Sequence, residues 1–481
     1  MNYRTSFGQI QSMARCFFFV LLAVVPMPIL AQVSSQSSPV NPIPRRLTLA
    51  DAERILLDRN LAVTAAKFQV ESSRAAKLIA GYKPNPVLTV GAEQLALGHS
   101  ASSLFKSNLG ISAASTYTVR IDKIIERGGK RELRTEQADE QLKANEALML
   151  DAIRTQLYQL RQAFTAATLA REDLLLAEST QRQYEQTVHL TATKVENGDL
   201  PGLEIYRARA GQMQFEQAVV QARTSYELAT RDVLNLLGAT IADVAPSTRQ
   251  TAQTALPNGG NIVLTGNSSS ADDGAQFSAS LRNTPLEIVA EFDDRPIVQT
   301  QEELLHASLD ERPDVIAARH IFEAANRGLN LAQAQRIRDV SVGSEFQRVG
   351  SDSSFGATLS VPLFIYNNQH AAITQAEAQR KASETLLHQA ELQATTDVNK
   401  AYQVYLSARR TLDLYSKQNL TLVEKLRSIA TLSYKEGASS LFELLDAQRT
   451  YNAALAAYNQ ARADYQNSLW LLEQAVGKTL R

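Results

Sequence analysis

The fold is decided by one stretch without glycine or proline, KRELRTEQADEQLKANEALMLDAIRTQLYQLRQAFTAATLAREDLLLAESTQRQYEQTVHLTATKVEN, which runs from Lys130 to Asn197. At 1.5 Å per residue, an unbroken helix of this length extends about 100 Å. A second stretch without glycine or proline lies between Pro362 and Gly437. Because helices of globular proteins average about 11 to 12 residues, two helices of this length favour a long helical assembly over a compact enzyme.

The bulk composition narrows the functional class. The chain has 481 residues, of which 44% are hydrophobic and 21% charged, and its formal net charge is −1. Nucleic-acid-binding domains carry clustered basic charge, so this balance argues against that class. Aromatic residues make up only 6% of the chain, as expected where small side chains let long helices pack closely.

The N-terminus has the features of an export signal. Residues 1–31 combine a positively charged start, a short apolar run and a cleavage site near Ala31. The true start is either Met1 or Met13. The only cysteine, Cys16, precedes the apolar run, whereas lipid attachment would need it at the cleavage site. We therefore expect an exported protein without a lipid anchor.

The chain reads as two halves with one order of elements: helix, strand pair, long helix, turn and shorter helix. A shift of 252 residues places VGAE at 90–93 on VGSE at 342–345, and a shift of 239 places Gly198 on Gly437. The predicted segments are a leader at 32–46, a first repeat at 47–238, a connecting segment at 239–300 and a second repeat at 301–481. Within the repeats we predict strand pairs at 87–125 and 338–366, long helices at 130–197 and 367–436, and shorter helices at 203–237 and 441–477.

Two further predictions concern packing. The connecting segment 239–300 is polar and rich in glycine and serine, so we expect it to lie outside the helices and to be partly disordered. The final helix has apolar residues at spacings of three and four, with polar breaks at Gln448 and Arg462, which predicts a coiled-coil seam. The seam residues are Leu441, Leu444, Tyr451, Leu455, Tyr458, Tyr465, Leu469 and Leu472.

Four segments alternate apolar and polar side chains with the period of a β-strand. In the second, Tyr117, Val119 and Ile121 alternate with Thr116, Thr118 and Arg120. The predicted apolar face of the fourth comprises Phe355, Ala357, Leu359, Val361 and Leu363. Strands of this kind are typical of a transmembrane barrel, with lipid outside and water inside. A soluble four-stranded sheet covered by helices remains the alternative on strand pattern alone.

Four strands do not close a barrel, and an open sheet edge is not tolerated in lipid. The chain would therefore have to share its strands with other copies. Three copies give about twelve strands around a water-filled bore. The predicted fold class is mainly α, with a long α-helical barrel and four strands per protomer in a twelve-stranded transmembrane β-barrel.

These features resemble a known family, the TolC-like outer-membrane efflux channels of Gram-negative bacteria. The residues that carry the resemblance are LTLADAE at 47–53, SVPLF at 360–364 and YKEGASSLFELLDAQ at 434–448. The motif GGKR at 128–131 looks like that of the cobalt–zinc–cadmium branch, which exports heavy metals. The resemblance covers nearly all of the mature chain.

The resemblance implies a homotrimer in the outer membrane whose tunnel extends into the periplasm. Its partners would be a periplasmic adaptor and an inner-membrane pump of the resistance-nodulation-division type. The chain itself would be a passive exit duct, not an enzyme. A periplasmic coiled-coil adaptor without a channel is the alternative function.

The resemblance also implies a constriction near the turns between helices. By their distance from the turn glycines, the residues placed at this gate are Glu204, Tyr434, Glu443 and Asp446. A trimer would bring their carboxylates into a ring that favours cations. Without the resemblance, Glu443 and Asp446 are explained as ordinary solvated charges on a helix. Family members often carry a basic residue where this chain has Ser439, so an ion-pair lock at that position is not expected here.

The same argument assigns docking and lumen residues. The predicted adaptor-docking positions are Gly198, Gly202, Gly437, Ser439, Ser440 and Leu441. Their alternative explanation is that helical hairpins need glycine in order to turn. The predicted barrel-lumen residues are Glu93, Arg120 and Glu345, for which general wetting of a polar face is the simpler explanation.

No cofactor or metal site is predicted. The six histidines are scattered without ligand spacing, and no cysteine cluster exists. The GGK of the motif at 128–131 lacks the spacing of a phosphate-binding loop. We therefore expect the partners to choose the transported ion, if the cargo is a metal.

Overall fold

The computed structural model describes residues 42–93, 116–245, 286–415 and 417–480, and all structural statements below refer to these ranges. The predicted signal peptide and its cleavage near Ala31 lie outside them. The chain divides into two units, Met1–Pro42 and Ile43–Arg481. Only Pro42 of the first unit is described, so the following account concerns the second.

Nine α-helices and six β-strands occur within the described ranges. The helices are α1 (Leu49–Arg59), α2 (Leu61–Gly81), α3 (Lys130–Glu196), α4 (Leu203–Leu236), α5 (Gln301–Glu311), α6 (Pro313–Ala334), α7 (His370–Leu414), α8 (Lys417–Lys435) and α9 (Leu441–Val476). The strands are β1 (Arg46–Thr48), β2 (Val87–Glu93), β3 (Thr116–Ile125), β4 (Glu287–Val289), β5 (Val340–Val349) and β6 (Asp352–Ser360). None of the helices in these ranges combines the length and apolarity needed to cross a membrane.

Helix α3 is the element against which the others pack. It spans 67 residues without interruption and contacts α2, α4, α6 and α9. Many of its buried side chains are small, including Ala144, Ala147 and Ala167. Small side chains allow neighbouring helices to approach closely on several sides, so one helix can organise both halves of the chain.

The second long helix, predicted at 367–436, is divided. Helix α7 ends at Leu414, and α8 begins at Lys417. The Asn419 side chain donates a 2.6 Å hydrogen bond to the carbonyl oxygen of Leu414, which satisfies an acceptor that a continuing helix would have used. The break contains neither glycine nor proline, so the rule that identified the long helices could not locate it.

Part of the connecting segment 239–300 belongs to the core, so the prediction that it lies outside the helices is wrong for that part. Strand β4 pairs in parallel with β1, and Leu286 and Ile288 are fully buried. The Tyr226 hydroxyl donates to Leu286 O at 3.2 Å and accepts from Ile288 N at 3.1 Å. The leader predicted at 32–46 likewise enters the core at Ile43.

The main sheet is antiparallel with the strand order β2-β3-β5-β6. Its register pairs Val87 with Asp122, Ile125 with Val340 and Ser341 with Ser360. The four junctions between strands and helices therefore lie at one end of the sheet. Strand β6 ends at Ser360, two residues before Pro362, so the predicted extension through Val361 and Leu363 is wrong.

The helix that precedes each strand pair is broken at equivalent positions. Asn60 separates α1 from α2, and Arg312, 252 residues later, separates α5 from α6. The Asn60 side chain donates to Leu236 O at 2.8 Å, and the Arg312 side chain donates to Ala475 O at 3.3 Å. These two acceptors, 239 residues apart, lie near the ends of α4 and α9. The two repeat shifts thus meet in one pair of matching contacts.

Candidate functional site

The two turns that were predicted to form docking tips have the same backbone hydrogen bonds. In the first turn, Lys194 O accepts from Asp199 N and Leu200 N, at 2.8 and 3.3 Å. In the second, Ser433 O accepts from Ala438 N and Ser439 N, again at 2.8 and 3.3 Å. Gly198 and Gly437 adopt left-handed φ angles of 83° and 78°, which glycine tolerates without strain.

The helices that leave these turns begin differently. Ser440 caps α9, since its hydroxyl accepts from Glu443 N at 3.3 Å and the Glu443 carboxylate accepts from Ser440 N at 3.4 Å. Helix α4 has Gly202 at its cap position and no side-chain cap. Its first-turn acid, Glu204, forms an ion pair with Arg207 at 2.7 Å. Of the predicted gate carboxylates, Glu443 is exposed and caps a helix, while Glu204 is half-buried and paired.

Tyr434, the predicted gate tyrosine, is buried at the first level of packing behind the second turn. Only 2% of its surface is exposed, and it clusters with Ala208, Leu441 and Leu444. Its hydroxyl lies 2.7 Å from the Thr191 hydroxyl. This placement fits a residue that holds the turn in position better than one that lines an opening.

Lys194 links the two turns and was not singled out from the sequence. Its ammonium group donates to Tyr434 O at 2.7 Å and lies 5.1 Å from the centre of the Tyr434 ring. A lysine in the last turn of a helix is a common way to satisfy terminal carbonyl groups. Here the carbonyl belongs to another helix, and the sequence contains no signal that identifies it.

The remaining tip residues differ in exposure. Asp446 is exposed on α9, and Leu441 is buried. The Ser439 hydroxyl is buried without a hydrogen-bond partner among the described residues. The basic residue nearest to the second turn is therefore Lys194 of α3 and not a residue at position 439.

A cavity of about 480 Å³ lies beside the second turn. Its lining comes from α3, α8 and α9 and is mainly polar, with the amides of Gln183, Gln186 and Gln448. The Arg427 guanidinium donates to Gln183 Oε1 at 3.1 Å and stacks on the Tyr451 ring, 3.9 Å from its centre.

Tyr184 anchors the first hairpin behind this cavity. Its hydroxyl donates to Ala208 O at 2.9 Å, and its ring lies 4.5 Å from that of Phe215. Burial raises the pKa of the Tyr184 hydroxyl above its ordinary value, so the hydroxyl stays protonated and able to donate at neutral pH. Tyr184 therefore fixes α3 against α4 close to the turn.

The polar face of the main sheet carries the predicted lumen residues Arg120 and Glu345. They are directly opposite each other on β3 and β5, and their charged atoms are 3.8 Å apart. Arg120 also pairs with Asp122 at 2.8 Å and lies 3.4 Å from the Thr358 hydroxyl. The third predicted lumen residue, Glu93, is exposed at the far end of β2.

No group of three or more histidine, cysteine, aspartate or glutamate side chains within the described ranges is arranged to hold a metal ion. The prediction that the chain uses no cofactor stays a prediction.

A comparison with protein-family models places residues 54–239 and 304–478 in a single family, described as outer membrane efflux protein. The matched segments cover most of both halves and leave out the connecting segment.

Among curated relatives, the cobalt-zinc-cadmium resistance protein CzcC of Cupriavidus metallidurans is 24% identical over 459 residues, which cover 93% of this chain and 95% of CzcC. The alignments with three other curated relatives span only 38% to 58% of their lengths. Among solved structures, the outer-membrane channel OprN has a TM-score of 0.65 at 18% identity and covers 90% of each chain. The cation efflux protein CusC, solved in connection with transmembrane channel formation, has a TM-score of 0.65 at 18% identity, with coverage of 89% and 92%. At this identity the structures establish the fold alone.

Proposed function

Because the chain belongs to the outer membrane efflux protein family, we propose that it forms the outer-membrane channel of an efflux system. The channel is a passive exit duct for substrates that a partner pump delivers. The alternative of a periplasmic coiled-coil adaptor has no support, since the family model and the matched folds are those of outer-membrane channels.

The observation that carries this proposal is the division of the main sheet into two faces. The register aligns Val90, Val119, Phe346 and Phe355 in one row across all four strands, and none of these side chains is buried. The opposite face carries Arg120, Glu345 and Thr358, which are half-buried and polar. An exposed apolar face opposite a polar one is the pattern of a barrel wall between lipid and water.

The sheet also needs partners at both sides. Within the described residues, β2 and β6 are its outer strands. Their direction is opposite, because each neighbouring pair in the sheet is antiparallel. The outer edge of β6 in one copy can therefore pair antiparallel with β2 of the next copy. Three copies would close a barrel of twelve strands without a free edge.

The turns at 198–202 and 437–441 are proposed to contact a periplasmic adaptor. The support is the resemblance, together with the matching backbone geometry of the two turns. A resistance-nodulation-division pump would complete the system. Heavy-metal cations are the proposed cargo, because the name of CzcC refers to cobalt, zinc and cadmium and its match covers 93% of this chain.

For the gate, we assign two roles. Glu443 and Asp446 are exposed and supply negative charge that three copies would bring together, with Glu204 beside them on α4. Tyr434 is buried and positions the second turn through its contacts with Thr191 and Lys194. Negative charge at a constriction favours the passage of cations.

The test is the reversal potential of the purified protein in a planar bilayer under a salt gradient. The double variant Glu443→Gln/Asp446→Asn should lower the preference for cations. Glutamine keeps the N3 side chain of the capping box, so α9 remains capped while the charge is lost. Glu424→Gln, an exposed acid of α8, is the matched control and should leave the reversal potential unchanged. An equal reversal potential in all three proteins would refute the charged gate.

A further inference from the structure

The motif GGKR at 128–131 forms part of a basic cavity at the end of the sheet where strands and helices join. The cavity measures about 450 Å³ and is lined by the α2–β2 connection, the last residues of β3 and the first turn of α3. Its charged lining residues are Lys83, Lys123, Glu126, Lys130, Arg131 and Glu132.

Both acids of this cavity are already neutralised. Glu126 pairs with Arg134 at 2.9 Å, and Glu132 pairs with Arg131 at 2.6 Å. Lys130 is likewise satisfied, because it pairs with Asp339 at 2.8 Å.

Two cations remain. Lys83 and Lys123 are exposed and make no ion pair or hydrogen bond with any residue in the described part of the chain. Helix α3 begins at the same cavity, and its cap residue, Gly129, supplies no side chain to the free N–H groups of the first turn. Two unpaired ammonium groups beside these donors favour an anion.

The position of Lys123 shows which anion. It follows Ile121 on the apolar face of β3, and it pairs across the sheet with Val342, which pairs with Leu359. A lysine on a face that is otherwise apolar and exposed belongs at the level where lipid head groups meet water, since its stem can lie along lipid while its charge reaches the interface. The apolar row of Leu88 and Ile121 continues from this point along the sheet.

The surroundings on the neighbouring junctions fit the same level. Arg336 and Arg338 are exposed between α6 and β5, and Arg338 lies over the Phe364 ring, 5.4 Å from its centre. Tyr366 is fully exposed just before α7. Aromatic and basic side chains together mark the interface of a membrane protein.

We propose that this cavity binds the phosphate of an anionic membrane phospholipid, held by Lys83 and Lys123 beside the first turn of α3. The acyl chains then lie on the apolar face of β2 and β3. The inference rests on the proposed function, because it needs that face of the sheet to contact lipid.

The test measures binding of phosphatidylglycerol to the full-length protein in detergent by native mass spectrometry. The double variant Lys83→Gln/Lys123→Gln should bind about fivefold more weakly for each lysine removed. Lys425→Gln, an exposed lysine of α8, should bind like the unmodified protein, and Lys83→Arg/Lys123→Arg should retain binding because the charge is kept.

Two results would overturn the proposal. In one, the double glutamine variant binds phosphatidylglycerol as well as the Lys425→Gln control. In the other, inorganic phosphate alone binds as tightly as the lipid and displaces it, so that the site takes a soluble anion. Bilayer conductance of the same samples separates this inference from the proposed function, since a protein without conductance refutes the channel even where lipid binding follows the lysines.

Discussion

The two breaks at Asn60 and Arg312 solve one structural problem with different chemistry. At each break, a buried side chain donates to a carbonyl oxygen near the end of a later helix, Leu236 O or Ala475 O. Asn60 is neutral, and its side-chain oxygen also accepts from Ala62 N and Val63 N, so it caps α2. Arg312 caps nothing with its side chain and brings a buried charge instead.

That charge ties together elements that Asn60 does not reach. Arg312 pairs with Asp314 at 2.8 Å and with Asp397 of α7 at 3.0 Å. Asp314 in turn lies 3.8 Å from Arg154 of α3. Burial by itself would raise the pKa of Asp314, but the hydrogen bonds and charge of Arg312 hold that pKa below its usual range. The comparison teaches that the two halves share a backbone plan while the second half carries the ionic link to α3.

The comparison breaks most severely if Arg312 is replaced. Arg312→Met leaves Asp314 and Asp397 without their buried partner and should reduce the free energy of unfolding by about 3 to 5 kcal/mol. Thermal unfolding followed by circular dichroism at 222 nm measures the change. Arg295→Met removes an ion pair with Asp293 in which the arginine is 79% exposed, and it should cost about 0 to 1 kcal/mol. Equal losses in the two variants would show that the buried network is not a special link.

At the first break, the effect should be smaller and divisible. Asn60→Ala removes both the cap of α2 and the bond to Leu236 O, at an expected cost of about 1 to 3 kcal/mol. Asn60→Ser keeps a capping hydroxyl but loses the amide donor, so it should recover part of that stability. The same unfolding measurement applies. If the serine variant is no more stable than the alanine variant, the cap contributes nothing.

Much of this architecture follows from simple sequence rules, and the exceptions have identifiable causes. The bounds of α3 follow from Gly128–Gly129 and Gly198, because glycine and proline interrupt helices wherever they stand. The break at Tyr415 has neither residue and depends on the hydrogen bond from Asn419, which no pattern marks. The alternation in β3 and β5 identified the two faces of the sheet, since strand periodicity depends only on local sequence.

The tip shows where sequence reasoning stops. Distance from the turn glycines located Tyr434, Glu443 and Asp446 near the second turn, but distance along a chain does not determine burial. Tyr434 is buried because Ala208 and Leu444 pack around it, and both come from other helices. Lys194 and Arg312 were missed for the same reason, as their partners lie hundreds of residues away.

The link between the two turns offers an effect of intermediate size. Lys194→Met keeps the aliphatic stem but loses the bond to Tyr434 O, at an expected cost of about 1 to 3 kcal/mol. The loss should appear as faster amide hydrogen exchange in α8 near Tyr434. Lys435→Met, a variant of the exposed lysine next to Tyr434, is the control. Equal exchange in the two variants would mean that Lys194 does not hold the second turn.

The smallest expected effect concerns a pair of aspartates on the long helices. Burial raises the pKa of Asp173 on α3, with repulsion from Glu172 adding to it, whereas Asp413 on α7 is exposed beside Arg409. The folded protein therefore holds the Asp173 proton to higher pH than the unfolded chain does. The stability from this group is present at low pH and is lost as the pH rises from about 3.9 through the folded pKa.

Asp173→Asn should consequently raise the melting temperature slightly at pH 7, and this gain should disappear toward pH 3. Asp413→Asn should show no such gain. Melting curves at both pH values provide the measurement. A loss of stability at pH 7 in the Asp173 variant would contradict the role of burial.

The most direct test of the account is a joint measurement of mass and conductance on the purified protein. If the four strands of each copy are completed by two other copies into a closed barrel, native mass spectrometry in detergent should give three times the mass of the mature chain, and the same sample should produce discrete conductance steps in a planar bilayer. A monomer that passes no current would contradict it.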